Sequence, residues 1–351
     1  MLTIVIPTRN RPHFFPRLLS YYRVQGFEPG IVFADSSDPE FITKNKQAID
    51  AFGDLNLVHR VYDPDVSYVS KISDTLGVVQ TPFTALGADD DFFIPSGLSR
   101  AVRFLEENSD YALAHGDAIA FELKSGAVFG PADKVNRYEQ RTIDRPTAIE
   151  RLRDHFSDYS TTYYSVHRTG QLRQNFLKRV ASRTDLAFGE LLPSGLSLIQ
   201  GKAKKLDGLY MARQNFAAKE YEFTDAFDWV ATPGWAEQYE RFRDCLAQEL
   251  NEQAGLEVSD GRKVIKEVFV RYLIAVLTPQ PVTNVTRSST FRSAISAIPG
   301  ARPAARALRS LDPSRRADIN LPALLNPSSP YHGDFMPIYT AITEPPEALS
   351  A

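Results

Sequence analysis

The sequence Leu-Gly-Ala-Asp-Asp-Asp-Phe-Phe-Ile-Pro occupies residues 86–95, and the rest of the chain is best understood from it. The apolar run at 82–86 that leads into the three aspartates is typical of a buried strand. Three adjacent carboxylates repel one another unless a cation neutralises them, and a divalent metal ion with hard oxygen ligands does this best. The alternative is a solvated turn that caps the next helix, with Pro95 near its start. Because open α/β sheets bind ligands where their strands end, we favour the metal site.

The composition is that of an ordinary soluble globular protein. The chain has 351 residues, of which 43% are apolar and 24% charged. Forty basic and 43 acidic residues give a net charge of −3, which argues against general nucleic-acid binding. The single cysteine, Cys245, excludes an intramolecular disulfide and is typical of a reducing compartment.

No targeting or membrane-spanning segment is expected. The first seven residues lack the basic region and cleavage site of a signal peptide. No run approaches the roughly 20 apolar residues that a spanning helix needs. We therefore expect a cytoplasmic protein, at most peripheral to the inner face of a membrane.

Short apolar runs alternate with helical patterns along the first 215 residues. The predicted strands lie at 2–6, 30–34, 55–61, 81–86, 111–121, 161–167 and 206–213, and the predicted helices at 14–22, 41–52, 68–79, 97–107, 147–156 and 188–201. Such alternation predicts a mostly parallel, Rossmann-like α/β sheet with helices on both faces.

The pattern changes at about residue 216. Helices are predicted at 225–252 and 261–277, followed by a segment rich in Pro, Ser and Arg that should form loops, short helices and a mobile tail. Its basic face carries arginines 302, 306, 309, 315 and 316. A solvated surface is the default interpretation of these charges, and contact with an anionic membrane or a lipid-phosphate acceptor is the alternative.

Polar motifs follow the predicted strands at the points where the strands end. They are Pro-Thr-Arg-Asn at 7–10, Asp-Ser-Ser-Asp at 35–38, the helix that carries Lys71, and the acidic triplet at 89–91. Because carboxyl ends of parallel strands meet at one edge of a sheet, these motifs predict a ligand site there.

These motifs together resemble glycosyltransferase family 2. Residues 3–12 look like the opening strand and turn of that family, residues 35–38 like its acidic segment after the second strand, and residues 88–91 like its DxD motif. The resemblance covers about residues 1–215 and is strongest over the first 100. It implies a GT-A fold, the fold of nucleotide-diphospho-sugar transferases, with a nucleotide-sugar donor and a divalent metal, Mn²⁺ or Mg²⁺.

The resemblance also implies roles for individual donor-site residues. Asp35 would accept a hydrogen bond from the base, and Lys71 would lie near the nucleotide or its phosphates. Asp89 and Asp90 would face the ribose or sugar, and Asp91, together with Asp89, would bind the metal. The remaining expected contacts to the nucleotide come from the turn after the first strand, at Pro7, Thr8 and Arg9.

A transfer with inversion also needs a base for the acceptor hydroxyl. In the resembled family this acid begins a helix about 100 residues after the DxD motif, which implies Glu190, with Asp185 as the second choice. Leu191 stands where a paired Asp is common, and an ordinary first-turn glutamate is the alternative interpretation of Glu190. Arg213 lies at the end of the last predicted strand and could hold the diphosphate.

We therefore predict an inverting, metal-dependent transferase that moves a sugar from a nucleotide sugar, preferably a UDP-sugar, to an acceptor hydroxyl. Processive members of the resembled family carry a Gln-x-x-Arg-Trp motif. That motif is absent here and no membrane helices are expected, so the resemblance implies single additions. The expected domains are 1–215, with a nucleotide half at 1–95 and an acceptor half at 96–215, and a helical extension at 216–351.

Three other functional classes of protein are alternatives to a glycosyltransferase. A sugar-phosphate nucleotidyltransferase or a dinucleotide-dependent oxidoreductase would need a glycine-rich loop after the first strand, and residues 7–15 contain no glycine. A GT-A-like binding protein without catalytic activity remains the main alternative.

Overall fold

The computed structural model describes residues 1–124, 127–183, 186–215, 226–277 and 319–345. Nine strands within these ranges form one sheet, in the order β3-β2-β1-β4-β8-β6-β9-β5 with β7 paired to β6. The strands are β1 (Leu2–Thr8), β2 (Gly30–Asp35), β3 (Leu57–Val61), β4 (Phe83–Leu86), β5 (Phe92–Phe93), β6 (Tyr111–Leu123), β7 (Ala132–Tyr138), β8 (Val166–Arg168) and β9 (Lys202–Gln214).

The first half of the sheet has the predicted parallel arrangement. β1 pairs in parallel with β2 and with β4, and β2 pairs in parallel with β3. The intervening helices are α1 (Phe15–Val24), α2 (Pro39–Asp50) and α3 (Tyr68–Val78). Ser67 caps α3 by accepting a hydrogen bond from the Ser70 amide, which fixes where that helix begins.

The second half of the sheet is mixed. β6 and β9 are parallel, whereas β8 runs antiparallel to both β4 and β6, and β5 runs antiparallel to β9. The prediction of a strand at 161–167 is wrong for most of that range. Residues 161–165 form a loop, and only the last two residues of the range belong to β8. β9 begins earlier than predicted, at Lys202.

Four helices cover this half: α4 (Pro95–Glu107), α5 (Ala148–Ser157), α6 (Thr169–Ser182) and α7 (Leu186–Gln200). A capping box between Thr147 and Glu150 starts α5 where the apolar spacing predicted a helix. The helix α6 lies in a segment for which no element was predicted.

The C-terminal helices pack on the sheet-bearing part. They are α8 (Ala226–Val230), α9 (Trp235–Ala254) and α10 (Val258–Leu277), so the single helix predicted at 225–252 is interrupted. Gly234 lies between α8 and α9 with φ of +80°, a conformation that glycine adopts without strain. Phe188, Phe242 and Phe269 join α7, α9 and α10 in one aromatic core.

Two further helices, α11 (Leu321–Leu325) and α12 (His332–Thr343), lie within residues 319–345. Phe335, Ile338 and Ile342 are fully buried in the same core as β1, β2 and α1. The expectation of a mobile tail is therefore wrong for 319–345. The arginines predicted to form a basic face lie outside the described residues, and the domain boundary at 215 stays a prediction.

Candidate functional site

The carboxyl ends of β1, β2 and β4 meet at one edge of the sheet. Thr8, the last residue of β1, is in register with Asp35, the last residue of β2. The Thr8 hydroxyl donates a hydrogen bond of 2.6 Å to Asp89 Oδ2, which ties β1 to the acidic turn after β4. The structure thus brings three of the predicted site residues together.

The turn after β1 is locked onto the turn after β2. Asn10 has φ of +56°, a left-handed conformation that asparagine tolerates better than most residues. Its side chain donates to Asp38 Oδ2 at 2.8 Å and accepts from the Asp38 amide at 2.9 Å. This pairing holds Pro7 and Arg9 at the edge. Arg9 is exposed and makes no ion pair with any residue that the structure describes.

Lys71 extends from α3 beneath these turns and is almost fully buried. Its ammonium donates to the Thr8 carbonyl oxygen at 2.7 Å and to Ser36 Oγ at 2.8 Å. Burial lowers the pKa of Lys71 to about 8, since these partners are neutral; the charges of Asp35 and Asp89 partly oppose this shift. Within the described part of the chain, no carboxylate is in direct contact with this cation.

Asp35 is fully buried. Its Oδ1 accepts from the Ser37 amide, and its Oδ2 accepts from Asn45 at 2.8 Å and lies 2.9 Å from His59 Nε2. Burial alone would raise the pKa of Asp35, but hydrogen bonds from His59, Ser37 and Asn45 outweigh it and hold the pKa below its ordinary value. Asp35 is thus an ionised acceptor with partners already in place.

The acidic triplet is buried, and its three carboxylates face different partners. Asp89 lies between Thr8 and Arg11, and Asp90 Oδ2 accepts from Arg11 at 2.7 Å. Asp91 turns toward β9, where its Oδ1 accepts from the Gln214 amide at 3.0 Å and its Oδ2 pairs with Arg213 Nε at 3.2 Å.

The electrostatics of the triplet favour an added cation. Burial raises the pKa of Asp89 and of Asp91 to about 7; Arg11 and Arg213 oppose the rise, and the charge of Asp90 adds to it. Asp89 Oδ1 is buried without a hydrogen bond, although it lies 2.9 Å from Arg11 Nη1 in an ion pair. A cation close to Asp89 would therefore stabilise its ionised form.

The residues present fit a divalent metal ion at Asp89 and Asp90. Hard oxygen ligands suit Mg²⁺ and Mn²⁺. Among the described residues, no cluster of three His, Cys, Asp or Glu side chains is ready to hold a metal, so water molecules or a bound diphosphate would supply the further oxygens. Both oxygens of Asp91 are engaged by β9, and this geometry does not favour the prediction of Asp91 as the main ligand.

A pocket of about 140 Å³ lies next to the triplet and contains Glu190. Glu190 projects from the first turns of α7, and its Oε1 accepts a 2.7 Å hydrogen bond from the Tyr159 hydroxyl. The other lining residues are Tyr68, Tyr138, Tyr163, Tyr164, Arg179, Gly189 and Arg213. Asp185, the alternative candidate for the base, lies outside the described residues.

Arg213 connects this pocket to the triplet. Its guanidinium pairs with Asp91 and donates to the hydroxyls of Tyr138 and Tyr164 at 2.7 and 3.0 Å. The same guanidinium lies over the two tyrosine rings, 4.8 and 4.3 Å from their centroids. Arg213 was predicted to hold the diphosphate; the structure places it between the acidic turn and the wall of the pocket.

Several site residues were missed by the sequence analysis. Arg17 is fully buried on α1 and donates to the Asp90 carbonyl oxygen and to Gln214 Oε1. Arg11 was treated only as part of the opening motif. A signal for both existed, because three clustered carboxylates require nearby cations. The tyrosines of the pocket come from distant parts of the chain and had no local signal.

A larger groove of about 720 Å³ lies where β1 and β2 begin, at the opposite end of these strands. None of the predicted site residues lines it. Within the described ranges, no helix is both long enough and apolar enough to cross a bilayer.

Comparison with solved structures identifies the fold. The crystal structure of S. aureus TarS 1–349 is similar at a TM-score of 0.51 and 15% identity, covering 82% of this chain and 76% of that chain. The crystal structure of TarS 1–349 in complex with UDP-GlcNAc is similar at a TM-score of 0.53 and 15% sequence identity. The similarity covers 82% of this chain and 77% of that chain. No family model and no curated protein matches the sequence. The chain therefore has the GT-A fold of these glycosyltransferases, with its candidate site where β1, β2 and β4 end.

Proposed function

We propose that the protein is a glycosyltransferase that moves a sugar from a UDP-sugar to an acceptor hydroxyl in single additions, with inversion and with a divalent metal. One observation carries the proposal: an edge that presents Thr8, Lys71 and Asp89 adjoins a pocket that contains Glu190. The similar TarS structure contains UDP-GlcNAc, which supports a uridine diphosphate donor.

The nucleotide would lie along the ends of β1 and β2. Asp35 is ionised but fully buried beneath Ser37, Asn45 and His59, so it would accept an N–H of the base in exchange for one of these partners. Arg9 and Lys71 supply two positive charges for the diphosphate, and neither forms an ion pair with a described residue. Arginine and lysine are the usual partners of phosphate oxygens.

Asp89 and Asp90 are the residues that would hold the metal. A bound Mn²⁺ or Mg²⁺ would supply charge neutralisation of the departing diphosphate. Thr8 and Arg17 position these aspartates. The Thr8 hydroxyl donates to the Asp89 carboxylate, and the Arg17 guanidinium donates to the Asp90 carbonyl oxygen.

Glu190 would take the proton from the acceptor hydroxyl while the oxygen of that hydroxyl attacks the anomeric carbon of the donor sugar. The hydrogen bond from Tyr159 fixes the orientation of the carboxylate. The tyrosine walls of the pocket suit a sugar or polyol, because aromatic faces pack against C–H groups and the hydroxyls can form hydrogen bonds.

The first experiment is calorimetric titration with UDP and a panel of UDP-sugars, each with Mn²⁺ and again with chelator. Metal-dependent binding of one donor supports the proposal and names the sugar. If no nucleotide binds to the folded protein, the proposal fails, and a GT-A-like protein that has lost donor binding becomes the better interpretation.

The second experiment tests the base through Glu190→Gln. We expect donor binding to persist while donor turnover falls about 10²–10⁴-fold, the usual contribution of a general base. Release of UDP, with water or an identified hydroxyl compound as acceptor, is the measurement. Glu237→Gln, a change of an exposed glutamate in the first turn of α9, is the control. Unchanged turnover in Glu190→Gln would remove Glu190 from the mechanism.

A further inference from the structure

One guanidinium bridges two members of the acidic triplet. Arg11 Nη1 lies 2.9 Å from Asp89 Oδ1, and Arg11 Nη2 lies 2.7 Å from Asp90 Oδ2. The two carboxylates are buried, but the Arg11 side chain is 30% exposed, so the arginine covers them from the solvent side. The Phe14 ring supports its guanidinium, whose carbon lies 4.4 Å from the ring centroid.

The bridged oxygens are those that a divalent cation would need. Thr8 occupies the other oxygen of Asp89, and β9 occupies both oxygens of Asp91. Asp89 Oδ1 and the carboxylate of Asp90 are therefore the groups of the triplet that face outward, and Arg11 covers them. A guanidinium and a divalent cation cannot occupy the same small space between two carboxylates.

The other arginines near the triplet differ in position. Arg17 binds the backbone of the turn from the buried side, and Arg213 pairs with the aspartate that faces β9. Neither stands between solvent and the Asp89–Asp90 pair. Arg11 alone among these three contacts both outward carboxylates.

We propose that Arg11 is a resident counter-ion of the triplet, which an incoming divalent cation displaces, and that the displaced guanidinium then serves the diphosphate. The first part concerns this chain alone, and the second rests on the proposed function. Removal of Arg11 should therefore tighten binding of the bare cation and weaken binding of the nucleotide. A purely structural arginine would weaken both by destabilising the turn.

The chain offers two controls. Arg23 lies far from the triplet and also combines a carboxylate with an aromatic ring, although its carboxylate is exposed: it pairs with Asp54 at 2.7 Å, and its guanidinium carbon lies 4.1 Å from the Phe52 centroid. Arg9 carries a positive charge at the same edge but makes no ion pair with a described residue. The Arg23 variant controls for loss of an arginine–carboxylate pair, and the Arg9 variant for a general change in local charge.

The experiment is calorimetric titration of nucleotide-free protein with Mn²⁺. We expect Arg11→Met to bind Mn²⁺ about three- to tenfold more tightly than the unmodified protein, since partly exposed ion pairs contribute modest energies. Arg23→Met should leave the affinity unchanged, and Arg9→Met should change it by less than Arg11→Met does. Asp90→Asn should weaken it. Thermal unfolding shows that each variant is folded.

Equal or weaker Mn²⁺ binding in Arg11→Met overturns the inference, and so does an equal gain in Arg9→Met. Absence of Mn²⁺ binding from both the unmodified protein and Arg11→Met overturns it too, because removal of the arginine should expose the carboxylates. The proposed function fails separately, when no UDP-sugar binds although the Mn²⁺ affinities follow the expected order.

Discussion

Lys71 shows how burial converts an ordinary side chain into a candidate binding group. Its ammonium has a carbonyl and a hydroxyl as partners, so its positive charge is hydrogen-bonded but not cancelled by direct contact. Burial of such a charge costs free energy, and a bound anion offsets that cost. This argues for an anionic ligand such as a diphosphate at the ends of β1 and β2.

The pKa of Lys71, lowered to about 8, gives a pH-dependent prediction. Affinity for UDP should fall as the pH rises through about 8, because Lys71 then loses its proton. In Lys71→Met the affinity should already be lower, on the order of 10- to 100-fold, and should no longer show this step. Titration calorimetry between pH 6.5 and 9.5 measures both. Lys46→Met, on the exposed face of α2, is the control and should keep the step.

The free energy of unfolding should also depend on the ionisation of Lys71, in a direction that the lowered pKa fixes. The folded pKa lies below that of the unfolded chain, so between about pH 8 and 10.5 the unfolded state binds more protons. The contribution of Lys71 to the free energy of unfolding therefore rises with pH across this window. A comparison of urea unfolding of the unmodified protein and of Lys71→Met at pH 7.5 and 9.5 measures it, and a falling difference would contradict this burial effect.

The packing of α4 against β9 determines where the end of β9 lies. A Cβ atom at Gly97 would lie 2.6 Å from the Leu209 carbonyl oxygen and 2.7 Å from Tyr210 Cα. Helix and strand thus touch through backbone, and only glycine permits this approach. A few residues further on, β9 presents Gln214 and Arg213 to Asp91, so this contact helps to set the acidic turn.

Gly97→Ala should destabilise the protein by about 1–3 kcal/mol, because the backbone atoms that it meets cannot move without shifting the strand. Gly77→Ala is the matched control, since Gly77 also lies in a helix, α3, and its added methyl group meets nothing within 4 Å. That control should be neutral or more stable by up to about 1 kcal/mol. Urea unfolding measures both, and an equal response of the two variants would contradict the close approach.

The described parts of the chain share hydrophobic cores that include the last described helices. The side chains of α12 lie in the core of β1, β2 and α1, and the Tyr331 hydroxyl donates to buried Asp117 on β6 at 2.8 Å. The helices α9 and α10 share a second core with α5 and α7. Residues far beyond 215 therefore contribute to the folding of the sheet.

Phe335→Ala tests this integration. The side chain is fully buried, and its removal should lower the free energy of unfolding by about 3–5 kcal/mol in one cooperative transition. Phe227→Ala, where the ring is 70% exposed, should cost well under about 1 kcal/mol. Circular dichroism of the sheet and tyrosine fluorescence should report the same midpoint. A separate early transition in Phe335→Ala would mean that the C-terminal helices fold independently.

Much of the fold could be predicted from local patterns. The β-branched apolar runs of β1 and β2 and the helical spacing of α1 and α4 repeat with the periods of their structures. The same patterns failed at 161–165, where Thr and Tyr side chains favour a strand by propensity alone. There the Ser165 amide donates to the Thr162 carbonyl oxygen in a local turn, and the Thr162 hydroxyl donates to Ser194 Oγ on α7, so a turn and a tertiary contact together hold a loop.

The candidate site, like the fold, could be predicted from the sequence only in part. Thr8, Asp35, Lys71 and the triplet could be located from sequence because each lies at or near the end of a regular element, and parallel strands bring such ends together. What each carboxylate contacts depends on tertiary structure. Asp91 turns to β9, Asp89 and Asp90 face Arg11, and Glu190 meets Tyr159 because segments separated by tens of residues pack against one another. Periodicity in a sequence reports which residues are buried, whereas the partner of a buried charge depends on the arrangement of whole elements.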